Sequence, residues 1–152
     1  MPPTHITLAS WAKLALVVAL SYAGYAKRVN ADVYRTQGRG GKGLTGMTTK
    51  EEDFVEHLFI TSTLSHLLRF TSRGRVYGLR VFEIPDASRT ARGKALVNLI
   101  QIDPNEKITA AIALRSFDQK EGGFLTMCTR KAKIKKAAIS EFESIRKSGI
   151  IA

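Results

Sequence analysis

A glycine-rich loop carries the clearest chemistry in this sequence. Residues 37–43 read Gln-Gly-Arg-Gly-Gly-Lys-Gly, and five of the nine residues from Gly38 to Gly46 are glycine. Glycine lets backbone amides approach an anion closely, and Arg39 and Lys42 add positive charge within the same few residues. The loop therefore predicts a phosphate-binding element. A second interpretation stays open, in which the glycines only permit a tight connection between structural units.

Two nucleotide-binding motifs are excluded for this loop. Gly38, Gly40 and Gly43 match the dinucleotide pattern GxGxxG, but no strand–helix–strand unit surrounds them. The P-loop pattern requires glycine at position 36 and Ser or Thr at position 43, where Thr36 and Gly43 stand. We therefore expect a loop that binds anions without being a nucleotide site of either type.

Composition indicates one folded, strongly basic domain. The chain has 152 residues, 24 Lys and Arg against 13 Asp and Glu, and a formal net charge of +11. With 44% hydrophobic residues it has enough apolar surface to build a core, which excludes wholesale disorder. An excess of positive charge on a small fold attracts polyanions, and nucleic acid and anionic membranes are the usual ones.

The few Cys and His residues predict no disulfide, no zinc site and no nucleophilic catalysis. Cys128 is the only cysteine, and His5, His57 and His66 have no spacing that gives four zinc ligands or the order of a catalytic triad. We expect Cys128 to be a small buried residue. We expect no metal and no cofactor.

An acidic cluster precedes the middle of the chain. Glu51, Glu52 and Asp53 are adjacent in sequence, and Glu56 follows. Adjacent side chains point in different directions, so we interpret the cluster as an exposed acidic turn and not as a Mg²⁺ site.

Three segments repeat the pattern of an apolar strand, a tight turn and a basic strand. They are residues 17–29, 67–82 and 124–139, and Gly24, Gly74 and Ala132 align at steps of 50 and 58 residues. Further strands are expected at 54–64 and 107–114, and short helical turns, loops or strands at 95–102 and 139–147. The sequence predicts an all-β fold of propeller-like blades, each of about four strands, in a partial ring.

The apolar run Leu14–Leu20 lies near the N-terminus. It is too short to span a bilayer, and it forms the first strand of the repeat. We therefore expect no export signal. An exported basic protein with residues 1–26 as a leader stays open as the weakest alternative.

Residues 20–43, LSYAGYAKRVNADVYRTQGRGGKG, resemble the first blade of the C-terminal domain of the A subunit of bacterial DNA gyrase. The loop matches the diagnostic Gln-Arg-Arg-Gly-Gly-Lys-Gly box of that family and departs at Gly38, where the family has arginine. Residues 57–114 and 124–152 resemble the second blade and the start of the third. The corresponding domain of topoisomerase IV is similar, but its box is usually degraded, so the nearly intact box favours gyrase.

The resemblance implies a β-pinwheel that wraps duplex DNA and supports negative supercoiling without being catalytic by itself. It implies two partners in the full enzyme, the gyrase B subunit together with the breakage–reunion region of the gyrase A subunit. It also implies a location in the bacterial cytoplasm at the nucleoid, and no membrane. The family's nucleophilic tyrosine belongs to the breakage–reunion region, so Tyr34, just before the box, is expected to pack or to hydrogen-bond to the loop. The expected organisation is an extension at 1–13, blades at 14–64 and 65–117, and the start of a third blade at 118–152.

Wrapping requires phosphate contacts spread over a convex rim, with little reading of base edges. The candidate contacts are residues of the box and basic residues of the three expected blades, which are called the first, second and third units. They are Gln37, Arg39, Gly40, Gly41, Lys42 and Gly43 in the box, with Lys27, Arg28 and Arg35 in the first unit; Arg73, Arg75, Arg89, Arg92 and Lys94 in the second; and Arg130, Lys131, Lys133, Lys135 and Lys136 in the third. The alternative from another class is a propeller-fragment module whose basic surface binds an acidic protein.

Overall fold

The structure is a computed structural model that describes residues 15–34, 53–117 and 123–152. The strands in these residues are β1 (Ala15–Ser21), β2 (Tyr25–Asn30), β3 (Val55–Ser62), β4 (His66–Thr71), β5 (Arg75–Arg80), β6 (Lys94–Ala95), β7 (Ile108–Leu114), β8 (Phe124–Cys128), β9 (Ile134–Ala138) and β10 (Ile150–Ile151). Short 3-10 turns occupy Ala31–Val33, Val81–Glu83, Leu96–Asn98 and Ile139–Phe142. These described residues contain no α-helix, which confirms the all-β prediction.

Two four-stranded antiparallel sheets each include one short strand from the unit that follows in sequence. The first sheet has the order β3-β1-β2-β6 and the second β10-β5-β4-β7, while β8 and β9 form a third sheet. β6 follows the β4–β5 hairpin in sequence but pairs with β2 of the first sheet. In the same way β10 follows the β8–β9 hairpin and pairs with β5 of the second sheet. Each four-stranded sheet therefore takes its short edge strand from the next unit along the chain.

The three predicted hairpins are confirmed, and they share one turn geometry. In each turn a residue with positive φ donates its amide to the carbonyl three residues earlier, as from Gly24 to Ser21 at 3.0 Å and from Gly74 to Thr71 at 3.0 Å. The third turn has Ala132 at this position, with a φ of 57°. Alanine in the left-handed region is strained because its Cβ crowds the carbonyl oxygen.

Replacing Ala132 by glycine is expected to stabilise the third hairpin. Glycine relieves the left-handed strain of about 1–2 kcal/mol but costs about 0.5–1 kcal/mol of backbone entropy, so the net gain should be about 0.5–1 kcal/mol. Urea denaturation of the two proteins measures the change. A loss of stability would show that the turn does not hold position 132 at positive φ.

The sheets stack face to face around two hydrophobic clusters. Leu16, Val18 and Leu20 of β1 pack with Tyr77 and Leu79 of β5 in the first cluster. In the second cluster, Leu68 and Val76 of the second sheet pack with Phe117, Ala137 and Phe142. Because each face of the second sheet contacts a different unit, the units follow one another as blades do.

One arginine lies inside this core. Arg69, on the central strand β4, is fully buried, and none of its guanidinium nitrogens has a hydrogen-bond partner within the described residues. Burial lowers the pKa of Arg69 to about 10, while the charge of Glu83 acts in the opposite direction. Arg69 is therefore charged near neutral pH but is not available to a surface ligand.

Carboxylates hold the turns of the first two hairpins. Asp53 Oδ1 accepts the amides of Ala23 at 2.8 Å and Phe54 at 2.9 Å. Glu106 accepts the hydroxyl of Thr71, the residue before the second turn, at Oε1 and the Tyr77 hydroxyl at Oε2, the latter at 3.0 Å. The expectation of an exposed acidic turn is wrong for Asp53, which is buried because it satisfies these backbone donors. Glu51 and Glu52 lie outside the described residues.

The expectation that Cys128 is buried is also wrong. The thiol is exposed, and its cross-strand partner Ile134 is 70% exposed. Both lie on a face of the third sheet that no described residue covers.

Among the residues with described positions there is no group of three or more His, Cys, Asp or Glu suited to a metal ion. The same residues include no helix with the length and apolar character that a bilayer crossing requires.

Candidate nucleic-acid interface

The connecting segment, residues 85–95, lies along β2 of the first sheet. The Arg28 amide donates to the Pro85 carbonyl at 3.2 Å, and the Ala87 amide donates to the Arg28 carbonyl at 3.1 Å. At its end the segment becomes β6. The structure thus brings basic residues of the second unit beside those of the first, namely Arg89, Arg92 and Lys94 beside Lys27 and Arg28.

Lys27 is not a surface residue. Its side chain is fully buried, and Nζ donates to the carbonyl of Ser88 at 3.1 Å and to that of Arg89. Burial, and secondly the charge of Arg89, lowers the pKa of Lys27. The expectation that Lys27 contacts phosphates directly is therefore wrong, because its ammonium group is used to hold the connecting segment in place.

The other basic residues where the connecting segment meets β2 differ in their exposure and in their partners. Arg28 Nη2 lies 2.9 Å from Asp86 Oδ2, and the Arg28 side chain is only 14% exposed. The Arg92 guanidinium lies 5.4 Å from the centroid of the Tyr25 ring. Arg89 is half-buried, and Lys94 is exposed. Lys94 is thus the most accessible of these candidates, while Arg28 already has an anionic partner.

The second hairpin places two arginines at its turn. Arg73 Nη1 lies 2.9 Å from Asp103 Oδ2, and Arg75 Nη1 donates to the Ser148 carbonyl at 3.2 Å. A hydrogen bond from the Asn105 amide, and then the charge of Arg73, lower the pKa of Asp103. Both arginines remain exposed, so a phosphate can compete for them.

The third hairpin, Phe124–Ala138, has the highest density of free charge. Its basic residues are all exposed, and none lies within 4.0 Å of a carboxylate of the described chain. They are Arg130, Lys131, Lys133, Lys135 and Lys136. Among these five, Lys136 has an aromatic neighbour within the described residues, with Nζ 4.2 Å from the centroid of the Phe124 ring. Like charges at this density repel one another and favour a polyanionic ligand.

Lys107 is a basic residue beside the second hairpin turn that is not among the DNA contacts expected from the sequence. The Ser72 amide donates to the Lys107 carbonyl at 2.8 Å, as the Tyr22 amide donates to the Phe54 carbonyl at 2.9 Å. Lys107 therefore occupies in the second unit the place of Phe54 in the first. Its Nζ lies 5.8 Å from the centroid of the Tyr22 ring, which itself stacks on Phe54. Aligning the long strands as well as the hairpins would have found it.

The glycine box lies outside the described residues. Arg35, Gln37, Arg39, Gly40, Gly41, Lys42 and Gly43 all fall in the segment 35–52. Tyr34, directly before it, is half-buried, and its amide donates to the Ala31 carbonyl at 2.9 Å. The two interpretations of the loop, as a phosphate contact or as a connection between units, both remain predictions.

Most of the chain is similar in sequence to known proteins. Its similarity to the A subunit of DNA gyrase from Clostridium acetobutylicum is 53% identity over 137 residues, 90% of this chain and 16% of that protein. The A subunit of DNA gyrase from Mycolicibacterium smegmatis is 43% identical over the same share of each chain. The chain therefore spans about one sixth of the length of these curated relatives.

Solved structures share the fold. The C-terminal domain of DNA gyrase A matches with a TM-score of 0.71 at 24% identity, over 90% of this chain and 42% of that one. The C-terminal domain of DNA topoisomerase IV matches with a TM-score of 0.71 at 27% identity, over 88% of this chain and 39% of that one.

One family model matches nearly all of the described residues. It is that of the DNA gyrase C-terminal domain, a beta-propeller, and it covers residues 16–62, 65–115 and 124–152. The resemblance seen in the box and the repeats is thereby confirmed. With its strand-exchanged antiparallel sheets and its gyrase relatives, this chain belongs to the DNA gyrase C-terminal domain family.

Proposed function

We propose that the chain binds duplex DNA through phosphate contacts and wraps it, as the DNA-wrapping module of a gyrase A subunit. The observation that carries the proposal is the third hairpin, whose exposed cations have no carboxylate partner within the described residues. Residues 124–152 contain seven Lys or Arg and two acidic residues. Such an excess is unfavourable for an isolated surface and favourable beside a polyanion.

Repetition of the units supports wrapping over simple adhesion. Equivalent hairpin turns present cations in the second and third units, at Arg73 and at Arg130 and Lys131, and the connecting segment adds Lys94 at the first. Phosphate contacts that recur along successive blades fix the path of a duplex without reading its bases. The energy of these contacts offsets the cost of bending the DNA.

The role within a larger enzyme follows from the family. In this proposal the chain supplies binding energy and geometry, while ATP hydrolysis and strand passage come from the gyrase B subunit together with the breakage–reunion region of the gyrase A subunit. Residues 14–64, 65–117 and 118–152 are then the first two blades and the start of a third, after an extension at 1–13. The place of action is the bacterial nucleoid, with negative supercoiling as the output.

A series of duplex lengths tests the proposal. If about six to eight phosphate contacts form, log K should fall against log salt with a slope of roughly −5 to −7 on a long duplex. A shorter duplex reaches fewer units and should give a smaller slope, while base sequence should have little effect. A slope near zero with tight binding to an acidic protein would favour the protein-interaction alternative.

The box variant Arg39→Ala/Lys42→Ala belongs in the same series. By family resemblance we expect it to lose wrapping of a long duplex and to keep much of the binding to a short one, because the other basic units remain. Unfolding of the variant, with wrapping unaltered in whatever remains folded, would make the loop a connection between units. Restoring arginine at Gly38 should strengthen wrapping if the family box applies.

The C-terminal domain of a topoisomerase IV is the second candidate. The solved topoisomerase IV domain matches the fold as well as the gyrase domain does, with a TM-score of 0.71 for each. The nearly intact box favours gyrase. Wrapping that is indifferent to the box variant would favour topoisomerase IV.

A further inference from the structure

A polar cleft lies between the second and third units. It has a volume of about 850 Å³. Its lining residues are Leu64, His66, Arg80, Arg115, Ser116, Phe117, Ser140 and Glu143. Neither Arg80 nor Arg115 is among the DNA contacts expected from the sequence, and the cleft is separate from the hairpin turns. Its charges therefore need an explanation of their own.

Positive charge dominates this cleft. Arg80 and Arg115 face a single carboxylate, Glu143, and neither arginine lies within 4.0 Å of a carboxylate in the described part of the chain. Arg80 Nη1 has one weak contact, to the Leu64 carbonyl at 3.5 Å, and both arginines are exposed. Their guanidinium donors are thus available to an anion that enters the cleft.

The equivalent cavity at the junction of the first two units also has two arginines and one carboxylate, namely Arg28, Arg89 and Asp86. Leu16 pairs with Asn30 across β1 and β2 just as His66 pairs with Arg80 across β4 and β5. The cavity beside Leu16 and Asn30 has a volume of about 540 Å³, and its Arg28 is paired with Asp86. The two cavities therefore differ in ion pairing: the carboxylate of the first is paired with an arginine, while Glu143 has no ion pair with an arginine within the described residues.

The imidazole of His66 is fixed in this cleft. Its ring meets the buried ring of Phe117 edge-on, with centroids 4.4 Å apart and planes at 70°. Burial, and secondly the charge of Arg80, lowers the pKa of His66, while Glu143 raises it. The charged and titratable groups that line the cleft are His66, Arg80, Arg115 and Glu143. An anion bound here would favour the imidazolium and raise the pKa of His66.

We infer that this cleft binds a phosphoryl group, with Arg80 and Arg115 contacting its oxygens. The paired N–H donors of an arginine guanidinium match the geometry of phosphate oxygens, and both Arg80 and Arg115 line this cleft. A phosphate of the DNA backbone and a free phosphate anion share this chemistry. The DNA source rests on the proposed function and would extend the DNA path to the junction of the second and third units.

Inorganic pyrophosphate and the NMR signal of His66 test the site directly. In the wild-type chain we expect a saturable shift of the His66 imidazole signal and a rise in the pKa of His66. The variant Arg80→Gln/Arg115→Gln should lose both responses, while Arg146→Gln, which removes an exposed charge outside the cleft, should keep them. A double variant that melts as the wild type does and still responds equally would overturn the inference.

Duplex DNA distinguishes the two sources. If the phosphate belongs to DNA, a duplex should displace pyrophosphate, and the salt slope of the double variant should be less steep by about one. If a duplex binds without displacing pyrophosphate, the ligand is a free anion. A wild-type chain that binds pyrophosphate but no duplex would contradict the proposed DNA wrapping and leave the cleft assignment intact.

Discussion

Replacing Gly93 by alanine is expected to destabilise the chain by about 2–5 kcal/mol and to detach β6 from the first sheet. Gly93 has a φ of 86°, and a Cβ built there would lie 2.3 Å from the Ala26 carbonyl oxygen and 2.8 Å from the Lys27 Cβ. The left-handed conformation costs alanine about 1–2 kcal/mol, and forcing a buried strand apart costs about 1–3 kcal/mol more. Urea denaturation measures the total.

Gly74→Ala is the matched control for this change. Gly74 has a φ of 71°, but nothing lies within 4 Å of a Cβ built there. The control therefore isolates the conformational cost of about 1–2 kcal/mol. Hydrogen exchange should show faster exchange of the Leu96 amide, which donates to the Gly24 carbonyl at 2.8 Å, in Gly93→Ala alone. Equal losses of stability in the two variants would mean that Gly93 does not approach β2 as closely as the structure has it.

The hairpins were predictable from sequence, but the strand exchange was not. A run of apolar residues, a glycine at the turn and a basic strand are local signals, and they recur at Gly24 and Gly74. β6 and β10 have two residues each, too few for any periodicity to appear. Their partners lie in the preceding unit, so only the packing of whole units reveals the pairing.

Contacts between units decide which of the candidate site residues are exposed. The cations of the third hairpin are exposed as a phosphate contact requires, because no described residue covers that edge. Lys27 has the same local sequence character, yet the connecting segment from the next unit covers it. Cys128 shows the opposite error, since its counterpart Phe70 packs in the second core cluster while the face of Cys128 is open. Both errors arise from contacts between units that the repeat alone does not indicate.

Neutralising the turn of the third hairpin is expected to weaken duplex binding by about 500-fold at 0.1 M salt. The variant Arg130→Gln/Lys131→Gln/Lys133→Gln removes three exposed charges that have no carboxylate partner within the described chain. Each lost phosphate contact makes the slope of log K against log salt less steep by about 0.9, so three lost contacts make it less steep by about 2.7. With equal affinities at about 1 M salt, this difference in slope is about 500-fold in affinity at 0.1 M salt. Stability should change by only about 0.5 kcal/mol, since exposed side chains are replaced and like-charge repulsion is relieved.

The comparison variant Arg146→Gln/Lys147→Gln removes exposed charge from the same unit but outside the hairpin. If net charge alone drives binding, the slope should fall in proportion to the charges removed in both variants. If the hairpin contacts phosphates, its slope should fall by about 0.9 per residue, and that of the comparison variant by much less. If the hairpin variant keeps the wild-type salt slope on a long duplex, the hairpin does not contact phosphates, and the proposed function loses its main support. The path of the DNA would then have to run through the connecting segment and the box.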